Sequence, residues 1–115
     1  MALTLYGIAN CDTVRKARAW LAARGRSVAF HDFRKAGVPE DRLDAWLDAA
    51  GWERLLNRKG TTWRALDEGV RDSVVDAASA RAVLLAHAST IRRPVVDWPD
   101  GRISVGFDAN EWASH

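Results

Sequence analysis

Cys11, the only cysteine of the chain, lies where a predicted strand meets a predicted helix. The apolar run of residues 2–6 is typical of a strand, and residues 12–24 carry apolar side chains at helical spacing. A thiol at the start of a helix meets unpaired backbone N–H groups and the positive end of the helix dipole. Both favour the thiolate, the reactive form of cysteine. The alternative is a buried cysteine that packs as a small apolar residue, but the position at the turn favours a nucleophile.

Arginine and lysine occur in short clusters, several of them beside glycine, proline or the end of a predicted element. Most of these charges are expected to be solvated surface residues. A few could converge on an anion, because guanidinium groups stabilise a thiolate and bind carboxylates or tetrahedral oxyanions through paired hydrogen bonds. The clusters are Arg15-Lys16-Arg18, Arg34-Lys35, Arg58-Lys59 and Arg92-Arg93.

The elements that must position these residues begin with a β-α-β unit. Residues 27–33 predict a second strand after the helix, and two strands joined by a short helix run parallel. Near the other end of the chain, residues 94–98 and 102–107 flank Pro99-Asp100-Gly101. That turn sequence predicts a β-hairpin.

Residues from about 38 to 90 predict an all-helical stretch between these two parts. Its expected helix starts are Pro39, Thr61 or Thr62, and Asp76. We expect the helix that begins at Thr61 or Thr62 to extend through Leu66. The helix after Asp76 would place His87 on its buried face, where packing beneath the core is expected rather than metal binding.

A β-α-β unit followed by a hairpin predicts an α/β fold of the thioredoxin type. It has a four-stranded mixed sheet in a single domain over residues 1–115, with the helical insertion at about 38–90. In this layout the Cys11 turn faces the loop of residues 91–95, which enters the third strand. Pro94 is therefore a candidate cis-proline opposite the thiol, with an ordinary trans proline at a strand start as the alternative.

Composition limits the classes of function. The chain has 115 residues, 48% of them hydrophobic, which suits one domain with its own core. With 17 Lys+Arg against 15 Asp+Glu, the charge is too evenly balanced to indicate nucleic-acid binding. No second histidine or cysteine stands at metal-ligand spacing beside His87, so no metal site is predicted. Without a signal segment, a membrane-spanning run or a second cysteine for a disulfide, we expect a cytoplasmic location.

Three segments carry a resemblance to a known family. They are Asn10-Cys11 at a helix start, Leu55-Leu56-Asn57-Arg58-Lys59-Gly60-Thr61-Thr62-Trp63-Arg64, and Ile91-Arg92-Arg93-Pro94-Val95. Together they resemble the arsenate reductase-like (ArsC/Spx-like) family, and more narrowly its small YffB-type members. The resemblance covers essentially the whole chain in order, and the long basic run of the insertion makes it specific.

The resemblance implies a thioredoxin-like fold with a helical insertion and a catalytic cysteine at Cys11. It also implies that glutathione supplies the electrons as reductant or co-substrate, with glutaredoxin as a further partner and no bound cofactor. The implied substrate or anion ligands are Arg15, Arg58 and Arg93, and the implied pocket-shaping residues are Asn10, Thr13 and Pro94. Arg102 is the candidate for a third family arginine in the last hairpin.

Two positions depart from the family pattern. Asp12 stands beside the cysteine where arsenate reductases carry a small residue, and a carboxylate there opposes the thiolate and repels arsenate. Val14 stands where the second cysteine of a Cys-x-x-Cys pair would be, so the two-cysteine switch of Spx-type regulators is missing. The sequence therefore predicts a glutathione-dependent thiol–disulfide oxidoreductase, an arsenate reductase-like protein with one nucleophilic cysteine.

Two other classes of function are alternatives to the predicted oxidoreductase. The first is an Spx-like protein-binding regulator without catalytic activity, for which RNA polymerase would be the partner. The second is direct nucleic-acid binding, which the tryptophans disfavour because they lie at helical core spacing and not on an exposed strand.

Overall fold

The computed structural model describes residues 2–115. The strands are β1 (Leu3–Gly7), β2 (Val28–Asp32), β3 (Val95–Asp97) and β4 (Ile103–Val105). The helices are α1 (Asp12–Ala23), α2 (Phe33–Ala36), α3 (Glu40–Ala50), α4 (Trp52–Leu55), α5 (Thr61–Ala65), α6 (Glu68–Asp72), α7 (Ala77–Ala86) and α8 (Ala109–Trp112), with a 3₁₀ turn at Ala88–Thr90. Within the described residues, no helix combines the length and the apolar character that crossing a membrane requires.

The strands form one mixed sheet in the order β2-β1-β3-β4. β1 pairs parallel with β2, so that Leu5 lies beside Phe30. On its other side β1 pairs antiparallel with β3, which places Leu5 beside Val96, and β4 completes the hairpin with β3. The predicted thioredoxin-like sheet, a β-α-β unit followed by a hairpin, is confirmed.

The chain divides into two compact units, and the first contains the sheet. It comprises the residues up to Ala36 together with Arg93–His115. The apolar face of α1 carries Val14, Ala17 and Leu21 at helical spacing, and all three are fully buried. They pack in one cluster with the buried residues Leu3, Leu5, Val96, Trp98 and Trp112. Each fully buried large aliphatic side chain contributes about 1.5–3 kcal/mol, so this cluster holds the helix against the sheet.

The hairpin and the last helix close the same unit. Gly101 adopts φ +90° in the turn, a conformation that glycine accepts without strain. The indole N–H of Trp98 donates to the hydroxyl of Ser104 at 2.9 Å, which satisfies a buried polar group. The carboxylate of Asp108 accepts from the backbone N–H of Asn110 and caps α8.

The second unit, Gly37–Arg92, is the helical region. It corresponds to the insertion predicted at about 38–90. That the chain forms a single domain over 1–115 stays a prediction. Trp46 is fully buried in this unit and Trp63 is nearly so, as expected for its core. A backbone bridge between Leu56 and Ile91 adds one extended pairing to the otherwise helical unit.

Two helix starts in this unit agree with the sequence, since Pro39 directly precedes α3 and Asp76 directly precedes α7, and one differs. Asp76 caps α7 as predicted, accepting from the backbone N–H of Ser79 at 2.9 Å, and the Ser79 side chain completes a capping box. The prediction that a threonine caps α5 was wrong, because Gly60 is the cap and Thr61 is already helical. The helix also ends before Leu66.

His87 and two short helices also differ from the predictions. His87 was expected to pack beneath the core, but it is exposed at the end of α7, where its carbonyl accepts from the Thr90 hydroxyl at 2.7 Å. Helices α2 and α6 were not predicted. Each is only one turn long, and such short segments carry no periodic apolar pattern.

Candidate active site around Cys11

The turn between β1 and α1 is built around the last residue of the strand, Gly7. A Cβ atom at Gly7 would lie 2.8 Å from a methyl group of Val14, closer than real carbon atoms approach. Val14 is fully buried and β-branched, so it has little freedom to yield. Glycine at this position therefore allows the first turn of α1 to pack directly against the end of the strand.

Cys11 is the residue that caps the start of α1. Its backbone is extended, with φ −141° and ψ 124°, and its carbonyl accepts the first helical hydrogen bond from Arg15 at 2.9 Å. The side chain is partly buried and contacts the core cluster of the sheet unit. The sulfur therefore lies at the positive end of a twelve-residue helix, as the sequence predicts.

The surroundings of the thiol lower its pKa. Burial is the largest single influence and raises the pKa, since it disfavours the charged form. The backbone N–H of Val14, the guanidinium of Arg93 and the backbone N–H of Thr13 act in the opposite direction. Together they outweigh burial, so the pKa of Cys11 lies below its ordinary value and a larger fraction of the sulfur is thiolate near neutral pH.

Arg93 reaches the thiol from the loop that enters β3. The peptide bond between Arg93 and Pro94 is cis, as the sequence suggested. Pro94 is buried, and its carbonyl accepts the backbone N–H of Gly106 at 2.8 Å. Val95, the next residue, pairs with Tyr6 at the end of β1. The sheet thus fixes the loop beside the strand that leads to Cys11, and it holds the Arg93 guanidinium at the sulfur.

Arg15 is held by its own neighbours on the first turn of α1. One of its guanidinium nitrogens donates to the carboxylate of Asp12 at 2.6 Å, and the other donates to the side-chain carbonyl of Asn10 at 2.9 Å. Arg15 and Asp12 are both largely exposed, with side chains 57% and 85% accessible. The carboxylate beside the thiol is therefore paired, and the arginine predicted to bind anions already has an anionic partner.

The remaining predicted arginines lie in different surroundings. Arg58 belongs to the helical unit, where it is exposed, 4.0 Å from the carboxylate of Glu53 and 5.5 Å from the ring centre of Trp52. Arg102 belongs to the hairpin and donates to the carboxylate of Asp100 at 2.6 Å. Neither interaction involves Cys11, so the anion-binding roles of these arginines stay predictions.

Two features of the turn were not read from the sequence. The first is the close approach of Gly7 to Val14, and the second is the hydrogen bond from Arg15 to Asn10. A related contact, the ion pair of Arg15 with Asp12, does have a local sequence signal, because residues three apart on a helix are neighbours. Among residues 2–115, no three histidine, cysteine, aspartate or glutamate side chains are grouped so that they could hold a metal ion.

Comparisons with known proteins agree with this fold. The sequence profile of the ArsC family matches residues 6–115. A solved structure of a YffB protein is 41% identical and superimposes with a TM-score of 0.92, covering 97% of this chain and 96% of the other. An arsenate reductase (ArsC) related protein from Brucella melitensis is 48% identical with a TM-score of 0.76, covering 100% of this chain and 94% of the other.

A regulator is also among the relatives. The global transcriptional regulator Spx of Streptococcus pyogenes serotype M3 is 26% identical over 112 residues. The match covers 95% of this chain and 81% of the regulator. Reductase-like and regulatory proteins therefore share this sequence pattern.

Proposed function

The chain belongs to the ArsC family, and we propose that it acts as a glutathione-linked thiol–disulfide reductase with Cys11 as its nucleophile. One observation carries the proposal. The partly buried sulfur lies at the start of α1, where the backbone N–H groups of Val14 and Thr13 and the Arg93 guanidinium lower its pKa, although its side chain makes no capping hydrogen bond. Groups that lower the thiol pKa are typical of a nucleophilic cysteine, because the thiolate is the reactive form, whereas a structural cysteine packs as a small apolar residue.

The proposed reaction is an exchange of disulfides in two steps. The Cys11 thiolate attacks a sulfur of a mixed disulfide between a substrate thiol and glutathione, forming a bond between Cys11 and glutathione. The substrate sulfur leaves with the electron pair of the broken S–S bond and takes up a proton. A second glutathione thiolate then attacks the Cys11-bound glutathione, which releases glutathione disulfide and restores the Cys11 thiolate. In the net reaction one glutathione thiol is consumed, the substrate thiol is released and glutathione disulfide is formed, while Cys11 returns to its starting state.

An external thiol is required because the chain offers no second cysteine. The position that would complete a Cys-x-x-Cys pair is Val14, which is fully buried in the core. The mixed disulfide on Cys11 therefore has to be resolved by a separate molecule. Glutathione supplies a small thiol for this step, and a glutaredoxin would supply the same chemistry from a protein.

The residues around the thiol take separate parts in this proposal. Arg93 stabilises the thiolate and offers a hydrogen-bonding partner to a glutathione carboxylate. The family resemblance implies anion-binding roles for Arg15 and Arg58, and for Arg15 this role requires its release from Asp12. The loop is shaped by Asn10, through its bond to Arg15, and by Thr13, through its backbone N–H, while Pro94 lines the pocket of the thiol.

A disulfide suits this site better than arsenate does. The Asp12 carboxylate stands next to Cys11 and is 85% accessible, so an approaching arsenate meets a negative charge one residue from the nucleophile. Arg15 is bonded to Asp12 at 2.6 Å, which weakens that repulsion but leaves its guanidinium less available to bind arsenate. A neutral disulfide sulfur suffers no such repulsion.

The experiment is a reductase assay with glutathione on three substrates in parallel: a glutathionylated peptide, a small disulfide and arsenate. We expect the wild type to turn over the glutathionylated peptide and to reduce little arsenate. The Cys11→Ser variant should reduce neither of these two substrates. A matched control is Ser89→Ala, which alters a hydroxyl in the helical unit. Turnover by Cys11→Ser, or no turnover of any substrate by the wild type, contradicts the proposal.

A second candidate is a protein-binding regulator, which the match to Spx over 95% of the chain favours. Its partner would be RNA polymerase, and the interaction would not need the thiol. Purified bacterial RNA polymerase tests this alternative. Co-elution that is equally strong for the wild type and Cys11→Ala, together with no reductase turnover, favours the regulator over the enzyme.

A further inference from the structure

Strand β2 forms one edge of the sheet and leaves backbone groups directed outward. Within residues 2–115, β1 is the only strand that pairs with it. The N–H of Leu3 donates to the carbonyl of Ser27 at 3.1 Å. Because the bonding residues alternate along a parallel pair, Val28 and Phe30 direct their N–H and carbonyl groups away from β1. These groups can accept a further strand.

Three of the devices that blunt an edge strand, namely proline, lysine and a bulge, are absent from β2. Proteins blunt such edges with proline, with lysine or with a bulge in the strand. The sequence of β2 is Val-Ala-Phe-His-Asp, and it pairs with β1 in register over all five residues, from Leu3 beside Val28 to Gly7 beside Asp32. Ala29, in the middle of the strand, is exposed and small, so it does not obstruct a neighbouring chain.

The space beside this edge is an open and mainly basic groove. Two clefts adjoin it, of about 620 Å³ and about 470 Å³, and both include the side chain of Arg18. Among the charged residues that line them, Arg18, Arg26 and Lys35 are basic and only Asp32 is acidic. The guanidinium of Arg18 lies 4.2 Å from the ring centre of Phe30, directly over the strand. A chain that paired with β2 would run alongside these positive charges.

We propose that the β2 edge binds an extended, acidic segment of a partner protein by strand addition. Backbone hydrogen bonds to Val28 and Phe30 would supply the pairing, and acidic side chains on the α1 side would face Arg18, since the guanidinium of Arg26 is already bonded to the carbonyl of His115 at 3.1 Å. This surface is separate from the chemistry of Cys11, and the inference does not depend on the proposed reductase activity.

Charge distinguishes an acidic partner from a second copy of this chain. In a symmetric dimer, two β2 strands would pair antiparallel, and each copy would bring its own Arg18 to the same groove. Like charges facing each other across a pair of strands are destabilising. An acidic segment instead places a carboxylate opposite each guanidinium.

A labelled peptide of alternating glutamate and valine, seven residues long, is the probe for this surface. We expect saturable binding, measured by fluorescence anisotropy, that weakens about tenfold in the double variant Arg18→Glu with Lys35→Glu. The matched control, Lys16→Glu with Lys59→Glu, changes the net charge equally and should bind within about twofold of the wild type. Hydrogen exchange should slow at the Val28 and Phe30 amides and stay unchanged at Ala29, whose amide points to β1.

Four results would overturn the proposal. One is that a peptide alternating glutamate and proline, which cannot form a strand, binds as tightly as the glutamate–valine peptide. Another is that the Arg18→Glu, Lys35→Glu variant binds the glutamate–valine peptide as tightly as the wild type does. A third is unchanged exchange at Val28 and Phe30 when peptide is bound. The last is a dimer in sedimentation whose β2 amides are already protected, since the edge would then be covered by a second copy.

Discussion

The loop that enters β3 and the first turn of α1 each bring an arginine to the neighbourhood of Cys11, and the two arginines behave differently. Arg93, on the loop, is half-buried and acts on the sulfur, where it helps to lower the pKa of the thiol. Arg15, on the helix, is exposed and donates to Asp12 and Asn10. The same side-chain type therefore serves the thiol in one place and neutralises a carboxylate in the other.

The difference arises from how each arginine is positioned. Arg93 comes from a distant part of the sequence and is fixed by the pairing of Val95 with Tyr6 and by the bond from Gly106 to Pro94. Arg15 has an acidic residue three positions before it on the same helix, and this local partner engages it first. Proximity in sequence to a cysteine is thus a poor guide to which arginine acts on it.

The largest expected effect comes from the residue that lets the helix start lie so close to the sheet. Gly7→Ala forces a methyl group against the buried Val14, and we expect a loss of about 1–3 kcal/mol in the free energy of unfolding. It should also move Cys11 away from Arg93 and raise the thiol pKa. Urea denaturation and thiol alkylation measure the two effects.

Gly69→Ala is the matched control for this substitution. A Cβ atom at Gly69 meets nothing within 4 Å, and the residue lies in helix α6. Alanine there should stabilise the chain by up to about 1 kcal/mol. If Gly7→Ala is as stable as the wild type, the tight packing of the turn is refuted.

The next effect tests the arginine of the loop. Arg93→Met removes the guanidinium but keeps much of the side-chain volume, and we expect mixed-disulfide formation near pH 7 to slow by about threefold to tenfold. The effect is limited because Cys11 is only partly buried, so that solvent screens the guanidinium charge. Mass spectrometry of the adduct with glutathione disulfide measures the rate. Arg93→Lys, which keeps the charge, should recover part of it, and equal rates for all three proteins would contradict the assignment.

A smaller effect is expected from Asp12. Asp12→Asn removes the carboxylate beside the thiol and frees Arg15, so binding of inorganic phosphate near Cys11 should tighten by about twofold to threefold. Protection of Cys11 from alkylation by phosphate measures this affinity. Asp72→Asn, an exposed carboxylate of the helical unit, should leave it unchanged. Weaker phosphate binding by Asp12→Asn would show that Arg15 does not become available to anions.

The smallest effect is predicted for Arg15 itself. Arg15→Met should change the rate of mixed-disulfide formation by less than about twofold, since its exposed ion pair contributes little. The same mass-spectrometric assay compares it with Arg93→Met. A larger loss for Arg15→Met than for Arg93→Met would reverse the comparison on which this account rests.

Much of the fold follows from the sequence because its signals are local. The apolar spacing of Val14, Ala17 and Leu21 gives helix α1, and Asp76 marks the start of α7. The order of elements then gives the mixed sheet, which brings the loop before β3 opposite the Cys11 turn. The cis bond before Pro94 followed from that layout and not from the residues around it.

The features that could not be predicted from the sequence depend on tertiary contacts or on where a helix begins and ends. The need for glycine at position 7 is visible only when Val14 is in place against the strand. His87 lies in phase with the buried face of α7, yet the helix ends at Ala86 and leaves it exposed. Gly60 takes the capping position that Thr61 or Thr62 was predicted to hold, because the side chain at a helix start cannot be assigned to one register from its type alone.

The pH dependence of Cys11 alkylation by iodoacetamide is the sharpest test of whether Arg93 lowers the pKa of the thiol, because the chain has one cysteine and every adduct reports on it. We expect a midpoint for the wild type below that of an ordinary free cysteine, with a clear rise for Arg93→Met and almost none for Arg15→Met. Below the wild-type midpoint the thiol is protonated and all three proteins should react slowly. A wild-type midpoint at the ordinary value, unchanged by Arg93→Met, would contradict this role of Arg93.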